Sequence, residues 1–137
     1  MTILEERIEF ACKKIGVHWY PFFNKDAFRA VTINTPAIVQ GVEDKWELLQ
    51  NGNIRKTIDF YILDKRKKEL SQTNMKDDII VKHNNLTNLI LQFIDELSKT
   101  ELKVYIIGSP YKSHDNTVFL DIGQDFTLTI EYAPCQV

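Results

Sequence analysis

The stretch from Lys45 to Ile62, KWELLQNGNIRKTIDFYI, decides the fold. Asn51-Gly52 suits the two positive-φ positions of a type I′ turn, and it lies between Lys45-Trp46-Glu47-Leu48-Leu49 and a longer arm, so a β-hairpin is expected. The longer arm alternates, with Ile54, Ile58, Phe60 and Ile62 on one face and Arg55, Thr57 and Asp59 on the other; Lys56 interrupts the apolar side near the turn. A strand of period two with one solvated side belongs to an antiparallel sheet.

On the N-terminal side, Ala37-Ile38-Val39-Gln40-Gly41-Val42 follows Pro36 and reads as a short central strand ending at its glycine. Asn24 to Asn34 reads as a loop. Val17-His18-Trp19-Tyr20-Pro21-Phe22-Phe23 is aromatic and too short for a helix. Because Pro21 removes a ladder donor, this segment is expected at a sheet edge. Trp19, Tyr20, Phe22 and Phe23 are expected mainly in the core. The chain opens with a capping box, Thr2 and Glu5, followed by Leu4, Ile8, Ala11, Cys12 and Ile15 at helical spacing and by Gly16, which together predict a helix from Ile3 to Ile15.

On the C-terminal side, Asp64 to Asn74 is polar and carries Lys65-Arg66-Lys67-Lys68, so it reads as a connection. Asp77 and Asp78 suit a helix N-terminus. Ile79, His83, Leu86, Ile90, Phe93 and Leu97 then step by fours and threes, predicting a second and longer helix. Leu102 to Ile107 and Thr117 to Ile122 read as strands separated by a loop through Gly108-Ser109-Pro110 and Ser113 to Asn116. Gly123-Gln124-Asp125 reads as a turn. A last strand alternates Phe126, Leu128, Ile130 and Tyr132 against Thr127, Thr129 and Glu131. The expected order is helix, four strands, helix, three strands. The fold class is α+β, a mainly antiparallel sheet with two helices packed on one face, and residues 1–137 form a single domain.

Composition sets limits on function. The 137 residues are 44% hydrophobic, enough for a core without staples, and 17 Lys and Arg against 19 Asp and Glu lack the basic footprint of a duplex-binding domain. Cys12 and Cys135 are expected as free thiols in a reducing cytoplasm. The charged N-terminus is unlike a signal peptide, and no apolar run approaches the ~20 residues that span a bilayer. No membrane association is expected.

Chemistry-bearing patterns are sparse. None of His18, His83 and His114 accompanies a nucleophile-elbow or cysteine-protease signature, and His83, on the helical stripe, reads as a core residue. The cysteines are too far apart to imitate a zinc pattern. Asp121 and Asp125 offer carboxylates to a hard cation, although turns favour aspartate for backbone hydrogen bonding. The chain contains no glycine-rich phosphate loop. The basic run Lys65 to Lys68 invites phosphate contact, but Asp64 and Glu69 bracket it and no aromatic is interleaved for base stacking. The chain is expected not to be an enzyme, with no catalytic, cofactor or metal residue and no cofactor.

Taken together, the N-terminal helix, the aromatic strand, Pro36-Ala37-Ile38-Val39, the arm ending Phe60-Tyr61-Ile62-Leu63-Asp64, the helix containing Phe93-Ile94-Asp95-Glu96-Leu97 and the strand ending Phe126-Thr127-Leu128-Thr129-Ile130 before Cys135 have a familiar layout. It resembles the small neck and tail-terminator (tail-completion) proteins of tailed bacteriophages, most closely those of Bacteroidetes phages, crAss-like phages among them. The resemblance implies a structural virion protein, made in the host cytoplasm, that forms a homo-oligomeric ring of six or twelve copies at the head–tail junction or the end of the tail tube. It implies adjacent neck, portal-side or tail-tube proteins as partners, and DNA passing through the lumen without sequence-specific binding. The loops Asp64 to Asn74 and Ser109 to Asn116 are then the expected contacts, with Lys65, Arg66, Lys67, Lys68, Tyr111, Lys112 and His114 as candidate subunit or ring residues. The alternative is a small cytoplasmic protein-binding module, of adaptor or immunity type, without catalytic activity.

Overall fold

A computed structural model describes residues 3–21, 34–65, 72–114 and 121–134. Seven elements follow in order: α1 (Ile3–Lys14), β1 (His18–Pro21), β2 (Ala37–Leu48), β3 (Ile54–Lys65), α2 (Gln72–Ser98), β4 (Lys103–His114) and β5 (Asp121–Tyr132). The strands form one sheet in the order β1-β2-β3-β5-β4, antiparallel except for the parallel β1–β2 pair. The α+β class and the two-helix layer on one face are as expected.

Local sequence explains the C-terminal end of α1, while Thr2 of the expected capping box lies outside the described residues. Gly16 follows the last turn, where its N–H donates to the Lys13 carbonyl (3.2 Å) and the Val17 N–H donates to that of Cys12 (2.9 Å). This is the Schellman pattern, which satisfies carbonyls left over at a helix end. The buried side chains Leu4, Ile8, Ala11 and Cys12 are those of the expected stripe. Along α2 the same holds for His83, Leu86, Ile90, Phe93 and Leu97. The apolar ones among these side chains meet Ile38 of β2, Ile58, Phe60 and Ile62 of β3, and Ile122, Phe126, Leu128 and Ile130 of β5 in one core. Arg7 Nη1 donates to the Thr100 carbonyl at 2.8 Å and ties α1 to the end of α2.

The hairpin is present, but its turn differs from the expected type. The Gly52 N–H donates to the Leu49 carbonyl (3.0 Å) and the Leu49 N–H to that of Asn53 (2.8 Å), so the loop has three residues instead of two. Only Gly52 has a positive φ, +86°, while the Asn51 side chain accepts the Asn53 N–H at 3.0 Å. This is a type I turn followed by a left-handed glycine, the commonest three-residue hairpin.

Among the described residues there are five strands where seven were expected; of the strand expected over Thr117 to Ile122, residues 117–120 lie outside the described residues and Asp121 and Ile122 begin β5. The expected break at Gly41 is a bulge inside β2, where register shifts between Gln40 and Glu43 and again before Lys45; a Cβ on Gly41 would stand 3.1 Å from the Asp59 carbonyl oxygen. The expected loop at Gly108-Ser109-Pro110 is a bulge inside β4 between Ile107 and Tyr111, with Gly108 at φ +65°. A bulge on an edge strand is a place where Pro110 costs no ladder bond. The expected turn at Gly123-Gln124-Asp125 lies within β5, where Gly123 opposes Leu63 and Ser113. Helix α2 starts at Gln72, so Gln72 to Asn74 belong to it and not to the connection before it. The loop expected at residues 24–34 falls almost wholly outside the described residues, as do Phe22, Phe23 and Cys135.

Cys12 is a free thiol, fully buried in the core. Burial first, and the Glu9 carboxylate second, push its pKa from 9.0 up to about 12. In the unfolded chain the thiol ionises near 9.0, so between pH 9 and 12 only the unfolded state gains from ionisation and stability falls as pH rises. In a Cys135→Ser background, thiol titration at pH 8 is expected to find Cys12 unreactive when native and fully reactive in denaturant. Rapid native labelling would contradict its placement in the core.

Candidate functional site

Lys65, the described member of the basic run, and segment 111–114 of β4 lie at one end of the sheet. Lys65 ends β3, opposite Asp121, while Ile122 pairs with both Asp64 of β3 and His114 of β4. One strand, β5, therefore separates Lys65 from that segment. The Lys65 N–H donates to Asp64 Oδ1 (2.8 Å), and Asp64 Oδ2 lies 3.4 Å from Lys82 Nζ on α2. Arg66, Lys67 and Lys68 lie outside the described residues, as does the side chain of His114. Tyr111 is 70% exposed and Lys112 is also exposed, both on β4 and not on a loop as expected.

Behind this end, His83 is buried, as expected of a core residue. Gln124 Nε2, itself buried, donates to the His83 carbonyl and to Thr87 Oγ1, each at 3.0 Å, and approaches His83 Nδ1 at 3.5 Å. Those bonds fasten β5 to α2 and satisfy polar groups that burial would otherwise penalise. Trp19 and Tyr20 are half-buried; Trp19 Nε1 donates to Gln40 Oε1 at 3.1 Å. Asp121 and Asp125 stand within one strand, not around a turn. Among the described residues no group of three or more His, Cys, Asp or Glu side chains is gathered for a metal ion. Among them, too, no helix is long and apolar enough to cross a membrane.

The face opposite the helices differs along its length. At the Lys65 end, Tyr61 and Leu63 of β3 pack with Ala37 and Val39 of β2 in a second, smaller buried cluster beside Tyr20. At the hairpin end the same face carries a shallow depression of ≈ 320 Å³ between Lys45, Glu47, Arg55, Thr57, Tyr105 and Ile107, with Thr57 and Thr129 buried at its base and Glu131 buried beside it. There the register carries one row straight across four strands: Glu47 opposes Arg55, Arg55 opposes Glu131, and Glu131 opposes Lys103. The charges alternate along this row. Arg55 Nη2 lies 3.7 Å from Glu131 Oε2, and Asn53 Nδ2 donates to Glu131 Oε1 at 3.3 Å.

Both ends of that row are sheet edges among the described residues. Strand β1 pairs only with Ala37–Gln40, so Lys45–Leu48 of β2 has no described strand beyond it, and neither has Lys103–Ile107 of β4. Both edges expose apolar side chains: Trp46 (61%) and Leu48 (69%) on β2, Tyr105 (55%), Ile106 (41%) and Ile107 (48%) on β4. Pattern reading found the residues of each strand but not this row, because its members come from four strands joined only by register. No family model matches the chain, and a search of curated proteins finds no match.

Proposed function

We propose that this chain is a structural subunit of a tailed-phage virion, forming a homo-oligomeric ring at the head–tail junction or at the end of the tail tube, with DNA passing through its lumen. The observation that carries the reading is a sheet that, among the described residues, has helices on one face and two edges exposing apolar side chains, the kind of surface that neighbouring subunits can cover. A net charge of -2 suits a lumen through which DNA slides without being gripped. In this role the residues act by contact and not by catalysis.

Mass spectrometry of purified particles and antibody labelling under the electron microscope test this directly. Label at the head–tail junction or tail end is the expected result; absence from particles would overturn it and put the protein-binding module first. Reversal of all four charges from Lys65 to Lys68 is expected to leave the circular-dichroism spectrum of the free protein unchanged while lowering its incorporation into particles. Normal incorporation would remove that run from the interface.

A further inference from the structure

We infer that copies of this chain join edge to edge, the Lys45–Leu48 edge of β2 in one copy pairing with the Lys103–Ile107 edge of β4 in the next, so that the sheet continues from subunit to subunit. Strand direction permits it. β2, β3, β5 and β4 alternate in direction across the hairpin end, so the two outer strands run oppositely and a neighbour in the same orientation adds an antiparallel partner.

Charge selects the occupant and the register. The row Glu47, Arg55, Glu131, Lys103 ends in an acid on one edge and a base on the other. When the two edges meet at the level they occupy within one copy, the next copy's Glu47 stands beside Lys103 and the alternation runs on unbroken. Opposite charges facing each other across strands favour that register, and like charges disfavour others. One row along, the same alignment places Lys45 beside the Tyr105 ring. On the helix-side face it brings Trp46 alongside Val104, covering apolar surface that is exposed in one copy. Lys103 by itself is a common guard of a bare edge; a matching glutamate on the opposite edge is not required for that purpose. The join is head-to-tail, so it closes into a ring when its rotation allows, whereas β4 pairing with another β4 about a two-fold would stop at a dimer and leave Glu47 unmatched.

This inference deepens the ring reading and rests on it for where the assembly works; particle localisation tests that reading, and disulfide capture in the isolated full chain tests this one. In a Cys135→Ser background, Glu47→Cys and Lys103→Cys proteins are prepared separately and mixed under mild oxidation. A cross-linked dimer in the mixture that neither protein forms alone is expected, and a ladder of higher species from the doubly substituted chain. No capture in the mixture would overturn the pairing, and so would Lys103→Cys dimers formed alone, which mark β4 pairing with itself. With Lys45→Cys and Tyr105→Cys as reporters instead, Glu47→Lys is expected to lower capture about fivefold and Lys103→Glu in the partner to restore it. An unchanged yield after reversal would overturn the charge-selected register.

Discussion

Replacing Phe93 by alanine is expected to lower the unfolding free energy by about 3–5 kcal/mol, the cost of emptying a packed aromatic site. Phe93 is fully buried on α2 and sits edge-on to Phe60 of β3 (centroids 5.4 Å, 73°) and to Phe126 of β5 (6.2 Å, 77°). Phe60 and Phe126 stack on each other at 5.4 Å and 15°, so the three rings form the joint between the helix layer and the two central strands. The neighbours of the vacated space are fixed by the sheet and cannot collapse into it, which places the cost in the upper part of the range seen for such changes. Measured against a typical stability of about 5–15 kcal/mol, the loss is about a fifth or more of what holds a domain together. Urea unfolding at constant m-value checks it. Leu91→Ala, 61% exposed on the far side of α2, is the control and is expected to change stability by less than about 0.5 kcal/mol. A Phe93→Ala loss under about 1 kcal/mol would mean that this helix face does not pack on the sheet as described.

What the sequence made legible is what short-range chemistry encodes. The stripes of α1 and α2, the glycine that ends α1, the two faces of β3 and the edge position of β1 each follow from side chains a few residues apart, and each is found where expected. Glycine-containing segments misled in one consistent way. Gly41, Gly108 and Gly123 read as strand ends because glycine and proline commonly punctuate strands, yet all three lie inside long strands, at two bulges and one close approach. Bulge and turn share a local composition, and what separates them is whether a neighbouring strand continues alongside. The alternating row was hidden for the same reason. In the sequence Glu47, Arg55, Glu131 and Lys103 look like ordinary charges one by one, and only the pairing of β3 with β5, set by the hydrophobic faces of both, puts them on one line and buries Glu131 within it.

Gly123 offers the sharpest test of that distinction. A glycine inside a strand weakens it by roughly 0.5–1 kcal/mol relative to alanine, so Gly123→Ala would be stabilising on backbone grounds alone. Opposing this is the Tyr61 ring, which crosses from β3 onto Gly123; an added Cβ would overlap its Oη and the carbon bearing it. The ring has little freedom to yield, because Tyr61 is 4% exposed and packs with Val39, Ala37 and Leu63 in the cluster on the face opposite the helices. Overpacking of this kind typically costs about 1–3 kcal/mol, more than the backbone gain, so Gly123→Ala is expected to be destabilising. A double-mutant cycle separates steric exclusion from a general intolerance of this strand. Tyr61→Ala alone is expected to cost about 3–5 kcal/mol through the cavity it leaves. In the double variant Gly123→Ala is expected to become neutral or stabilising, giving a favourable coupling of about 1–3 kcal/mol between the two sites. Additive losses would mean that the glycine is required for the path of β5 and not for the ring above it, whereas the expected coupling would establish that Gly123 is there to seat a tyrosine from the neighbouring strand.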